Sequence, residues 1–316
     1  MIPPGSASSR QGVPARRWRF KLSSVEAYLY IAPAFVLLVV FKYWPMVFGL
    51  ILSFLQWNFV SATKEFVGWS NYVGMLSRDT FLIALRNTPL YILALLPFYL
   101  ALPLGLAVLL SGVRSKRLAS IYKAVIFSPS VLSFAITCMV WLWIFNPLYG
   151  VLNRLLVLTG IPAVSWLSDS NVALWSIVLV SGWKTFGYNM VLLIAALSAI
   201  SPQYVEAAEI DGATPWQIFW KIKWPLISPT MFFLLVTTII FTAERAFIPI
   251  NILTKGGPYE ATTNLSFAIY LFGFQFFDAG LASATATFTT PTRLFRGSPA
   301  KKRFMILISK KSLYMK

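Results

Sequence analysis

The 316-residue chain has no histidine, and its single cysteine, Cys138, lies inside an apolar run. These absences exclude a disulfide framework, a Cys/His zinc cluster and a catalytic Cys–His pair. Charge is also scarce. Charged residues make up 12% of the chain, and only 10 acids stand against 27 lysines and arginines. There are no paired carboxylates, no nucleophile elbow and no GxxxxGK[ST] loop to cradle phosphates, so the chain carries no recognisable catalytic constellation and should not bind ATP by that route. Alternation of apolar and polar residues is missing as well, which argues against a membrane β-barrel.

Apolar residues are what the chain has in excess, at 58%. Several runs approach the roughly 20 residues that cross a bilayer as a helix. The fold class is therefore all-α, a polytopic transmembrane helical bundle. Spans are expected at about 27–54, 81–110, 124–145, 172–199 and 226–250. The first is read as uncleaved, because it is too long for a signal-peptide core. Lys42 falls near its middle and Pro45 should kink it. A central charge costs roughly 2.5–3.5 kcal/mol, so Lys42 should face other helices, water, or an interface reached by snorkelling.

A net charge of +17 would suit nucleic acid, but the basic residues gather at span ends and in the tails, where membrane orientation explains them better. Residues 1–24 read as a disordered basic tail. That tail, the 111–123 loop and the 201–225 loop hold five, four and two Lys/Arg. The alternate loops hold two (Lys64, Arg78), one (Arg154) and one (Lys255). The bias places the N-terminus and the 201–225 loop in the cytoplasm of a multi-pass protein.

The long polar interruption between the fourth and fifth spans is EAAEIDGATPWQIFWKIKWP, residues 206–225. Its first part suits a short helix. Gly212 permits a turn that a residue with a Cβ resists, and Thr214-Pro215 reads as an N-cap followed by the first helical residue. A second amphipathic helix should run over 216–223. The bland reading is an ordinary amphipathic loop between two spans.

The stretch resembles the EAA loop of the membrane subunits of ABC importers. Glu206, Ala207, Ala208, Gly212, Ile222 and Pro225 match that pattern, and Trp224 departs from it where the family has Leu. The motifs FVGWSNY (66–72), RNT (86–88), FNPLYG (145–150), WLSD (166–169) and LTKGGP (253–258) resemble the carbohydrate-uptake branch, which includes permeases for maltose and glycerol phosphate. The resemblance implies an inner-membrane permease of a bacterial or archaeal cell, taking up a sugar or sugar-phosphate-like solute. It implies no cofactor on this chain, because ATP and magnesium belong to a partner ATPase dimer. A second permease subunit and an extracytoplasmic solute-binding protein would complete the machine. The 201–225 loop would dock into the ATPase, and ATP-driven closure there would rock the spans between inward- and outward-facing states.

Polar residues in the fourth and fifth spans are the expected path: Lys184, Thr185, Tyr188, Asn189, Thr238, Thr242, Glu244 and Arg245. Relatives often have Asn where this chain has Ala-Glu-Arg-Ala (243–246), so Glu244 and Arg245 suit a structural ion pair as well as a solute contact. Two other classes are weighed. A secondary transporter has no reason to carry a coupling loop, and a membrane-embedded enzyme would need catalytic groups that are absent.

About six spans are implied by the resemblance, but the last is atypical. Residues 285–290 are rich in Thr, Pro291 should break any helix, and eight Lys/Arg with no acid follow to the end. Either the reading frame is altered near 286–290 and the true last span is missing, or 291–316 is a genuine basic tail on a sixth span shifted to 265–289.

Overall fold

The computed structural model describes residues 24–113 and 115–294. Most of the expected N-terminal tail, and the basic C-terminal tail beyond residue 294, lie outside them. The described chain is helical apart from one small antiparallel pair, β1 (Leu55–Gln56) and β2 (Glu65–Phe66), in register Leu55↔Phe66. The helices in chain order are α1 (24–52), α2 (Ser70–Leu76), α3 (Asp79–Ser111), α4 (Lys116–Val131), α5 (Phe134–Ile144), α6 (Val151–Leu158), α7 (Ala173–Ser198), α8 (Pro202–Ile210), α9 (Pro215–Thr254), α10 (Leu265–Gln275) and α11 (Ala279–Leu294). Among the described residues, four helices are long and apolar enough to cross a membrane, or five if α4 and α5 form one broken span. An all-α membrane bundle is what the composition predicted.

The described residues fall into two compact units that divide between residues 48 and 49. In the first, side chains 28–48 of α1 are exposed, Lys42 among them. The disruption expected at Pro45 takes a specific form. Val39–Tyr43 is a π-helical turn, closed by the Trp44 N–H on the Val39 carbonyl. The same device recurs in the second unit. Pro97–Ala101 precedes Pro103, and Phe219–Lys223 precedes Pro225, each turn being closed across five residues. A proline brings no N–H to the carbonyl four residues back and crowds it. Widening the preceding turn relieves the crowding while the helix continues.

Two expected spans need correction. Residues 124–145 do not form one helix: α4 and α5 meet at a 98° bend. Leu132 and Ser133 are extended there, with ψ of 151° and 152°, and the Ser133 hydroxyl caps α5 by accepting from the Ile136 N–H at 3.2 Å. Hydropathy is blind to this break, because both sides of it are apolar. Residues 265–289 do not form one helix either. The chain turns after α10, where Phe277 has φ +54°, and Asp278 caps α11 by accepting from the Leu281 N–H at 2.9 Å. Nor does Pro291 end α11, which runs to Leu294. A proline there deprives the Thr287 carbonyl of one partner but leaves the residues beyond free to bond.

The short motifs turn out to be stitches at the end of the second unit where α3 and α7 begin and α9 ends. The Asn87 amide donates to the Ala261 and Thr263 carbonyls at 2.9 and 3.0 Å, and the Tyr91 hydroxyl donates to the Thr262 carbonyl at 3.0 Å. Thr88 Oγ1 accepts from the Leu265 N–H at 3.0 Å. Asn71 spans Ser53 and Leu55 in the same way. Asn153 Oδ1 takes the Trp166 indole N–H at 2.8 Å and the Val164 N–H at 3.1 Å. Beneath them Tyr91, Phe145, Ile177, Ile250 and Phe267 form a buried core. A second cluster towards the other end joins Ala107, Leu110, Met190, Leu193 and Leu234.

Candidate functional site

The 201–225 stretch folds from its own local chemistry. Pro202 starts α8 at a position where a missing N–H costs nothing. The helix ends in a Schellman motif: the Ala213 N–H reaches the Ala208 carbonyl at 2.9 Å, and the Gly212 N–H reaches Glu209 at 3.0 Å. Gly212 has φ +79°, and a Cβ on it would meet open space, so the requirement is conformational and not steric crowding. Thr214 then opens α9 with a full capping box. Its Oγ1 accepts from the Gln217 N–H at 3.3 Å, and the Gln217 Oε1 accepts from the Thr214 N–H at 2.9 Å. Helix, turn and capped helix stand as the residues predicted. The second helix does not stop at residue 223, however. It continues through the π-helical turn into the following span as one 40-residue element. At about 1.5 Å per residue that is twice the roughly 30 Å of a hydrocarbon core.

This arrangement presents Glu206 and Ala207 on the exposed side of α8, with Ala208 half-buried. Ile222 is half-buried and Pro225 exposed, while the nearby Ile218 is buried. Exposed carboxylates (Glu206, Glu209, Asp211) next to a rigid turn form a surface suited to charge-assisted hydrogen bonds with a docked partner.

The expected path residues do not share one fate. On α7, Lys184 is buried, and its Nζ donates to the Ser130 carbonyl at 2.8 Å. The Ser130 hydroxyl returns a bond to the Lys184 carbonyl at 3.0 Å. Lys184 also lies 5.4 Å from the Phe134 ring centroid. It thus clasps both sides of the α4–α5 bend, supplying a cation to the end of α4. Asn189 is buried too, and its amide donates to the Tyr99 carbonyl at 2.8 Å. The intrahelical donor for that carbonyl would have been residue 103, which is a proline. Close packing of α7 on α4 depends on Gly187, where a Cβ would collide with the Ile126 carbonyl.

Tyr188, by contrast, is half exposed. Thr185, Thr238 and Thr242 are buried, and Thr242 bonds back to the Thr238 carbonyl of its own helix at 2.7 Å. Glu244 and Arg245 are exposed, with Arg245 over the Phe241 ring at 5.0 Å. Sequence reasoning missed Ser130 and Tyr99. Their contribution is a backbone carbonyl, which no side-chain pattern announces.

Comparison with known proteins places this geometry. A family model described as "Binding-protein-dependent transport system inner membrane component" matches residues 101–296. Among curated relatives, an sn-glycerol-3-phosphate transport system permease protein UgpA of Agrobacterium fabrum is 33% identical over 264 residues, covering 83% of this chain and 88% of the relative. A probable ABC transporter permease of Pyrococcus horikoshii is 31% identical over 261 residues, covering 82% and 88%. Among solved structures, a chain of a bacterial ABC transporter involved in import of the acidic polysaccharide alginate aligns with TM-score 0.75 and 26% identity, covering 85% of this chain and 91% of that one. A chain of the alginate transporter in complex with its alginate pentasaccharide-bound periplasmic protein aligns with TM-score 0.73 and 27% identity, covering 85% and 90%.

Proposed function

We propose the following from the premise that this chain belongs to the binding-protein-dependent transport system inner membrane component family. It is a multi-pass permease subunit of an ABC importer that works with a solute-binding protein. A secondary transporter is thereby set aside. The solute we infer is a sugar, sugar acid or sugar phosphate, a reading supported by the glycerol phosphate and alginate importers among its relatives. ATP and magnesium act on a separate ATPase dimer, and a second permease subunit completes the path. The N-terminus and the 201–225 stretch face the cytoplasm, where the positive-inside bias puts them.

The observation that carries the coupling role is the rigid presentation of Glu206. The Schellman motif at Gly212 and the capping box at Thr214 fix α8 against a helix that enters the membrane. Movement of an ATPase docked on Glu206, Ala207 and Ala208 would be passed through Gly212 to Ile222, Pro225 and the span beyond. Tyr188, Asn189, Thr242, Glu244 and Arg245 remain the proposed path, with Asn189 also supporting the backbone.

The test replaces Glu206 by Lys in the assembled importer. The variant chain should insert and assemble, while solute-stimulated ATP hydrolysis and uptake fall together by about tenfold, the loss expected for one charge-assisted bond. Normal uptake with normal stimulation would remove the coupling role. A panel of labelled neutral sugars, uronates and sn-glycerol 3-phosphate, each offered to the assembled importer, identifies the solute.

A further inference from the structure

The departure at Trp224 is part of a larger feature. Trp216, Trp220 and Trp224 stand four residues apart on α9 and touch in succession as a ladder, the first pair edge-to-face and the second tilted, with ring centroids 5.5 and 5.3 Å apart. Phe219 closes against Trp220 at 5.2 Å. Trp216 is 70% and Trp220 42% exposed, whereas Ile218, between them on the opposite side of the helix, is buried. Lys221 and Lys223 interleave with the ladder, and an apolar span begins directly after it. A row of large exposed indoles is costly in water. A flat ring with one polar N–H, flanked by lysines and joined to a membrane span, suits the boundary between hydrocarbon and headgroups.

The geometry points to a lipid-binding surface: the Trp216–Trp220–Trp224 ladder lies in the headgroup layer of the cytoplasmic leaflet, and Lys221 and Lys223 hold anionic phospholipid there. Each step of the ladder advances about 6 Å along the helix, so the three indoles sample successive depths. The ladder would fix the depth and tilt of α9 where it leaves Thr214, and so the height at which α8 is offered to a docked ATPase. This inference rests on the coupling reading for its consequence, but its own test needs no transport.

The experiment places a nitroxide at Trp216→Cys, Trp220→Cys and Trp224→Cys in turn, in the assembled importer reconstituted into phosphatidylcholine vesicles with and without phosphatidylglycerol. Accessibility to oxygen, which partitions into lipid, is compared with accessibility to a water-soluble nickel chelate. Labels at Ser77→Cys, exposed in the loop before α3, and at Phe233→Cys serve as references for water and lipid. Positions 216, 220 and 224 should fall between the references, with oxygen preference rising in that order. A water-like signal at 216 and 220 overturns the proposal. So does exclusion of both reagents that is relieved when the ATPase is stripped off, because the ladder would then be a protein contact. In a second arm, native mass spectrometry reads the phospholipid retained by the purified chain. Lys221→Gln with Lys223→Gln should lower retained phosphatidylglycerol by roughly fivefold per lysine and leave phosphatidylcholine unchanged. Equal retention overturns the role of the two lysines. A correct depth pattern in an importer whose Glu206→Lys variant stays coupled would leave the ladder standing and remove only the coupling reading.

Discussion

Replacing Lys184 by Met would test whether this buried cation is structural. The Ser130 carbonyl lies in the last turn of α4, and its next intrahelical donor would be the Phe134 N–H, which already belongs to α5 beyond the 98° bend. Lys184 Nζ fills that vacancy at 2.8 Å. Methionine keeps most of the apolar stem and removes the donor. An orphaned buried carbonyl costs about 1–3 kcal/mol, and loss of a cation at a helix C-terminus adds about 0.3–1 kcal/mol. Part of this is regained because an ammonium no longer has to be buried. The net expectation is a loss of about 2 kcal/mol, or roughly thirtyfold in the unfolding equilibrium. Ser130→Ala removes only the neutral reciprocal bond and should cost about 0.6 kcal/mol, a typical value inside membranes. Titration of the purified chain with SDS in mixed micelles, followed by circular dichroism, measures both. If Lys184→Met is as stable as the parent, the clasp is wrong. If it is stable and selectively loses uptake of anionic solutes, Lys184 is a solute ligand.

Asn189→Ala should lower stability by about 1–3 kcal/mol by orphaning the Tyr99 carbonyl, read in the same titration; unchanged stability with altered uptake would restore Asn189 as a solute contact alone. Gly212→Val should cost about 1–2 kcal/mol at a left-handed position and blunt solute-stimulated ATP hydrolysis, with Gly212→Asn milder; equal effects of Val and Asn would show that conformation is not the constraint. Gly187→Ala should destabilise the α4–α7 contact by about 1–3 kcal/mol through collision with the Ile126 carbonyl, seen as a lower SDS midpoint, and a parental midpoint would contradict that packing.

What the sequence made legible is what local chemistry decides. Gly212, Thr214 and Pro215 act within one turn of themselves, so their roles could be read in order along the chain. The spans were legible as apolar mass, but the break at Ser133 was not, because hydropathy sums over it. Lys184 and Asn189 were read as path residues, yet each serves a backbone carbonyl far away in sequence, Ser130 at a separation of 54 and Tyr99 at 90. Those needs arise because the helix breaks at one site and Pro103 withholds an N–H at the other. In a bilayer an unmet carbonyl costs several kcal/mol, and these two defects each recruit a polar side chain from a neighbouring helix. A polar residue in a span is therefore ambiguous until the prolines and breaks near it have been counted. Once Lys184 and Asn189 are assigned to that duty, and Thr242 is seen to bond back to its own helix, Tyr188, Glu244 and Arg245 are left as exposed polar groups on α7 and α9. We infer that solute contact rests chiefly on these three. A guanidinium suits the acidic group of either solute of the two named importers, glycerol phosphate and alginate, and a tyrosine face suits the sugar rings of alginate.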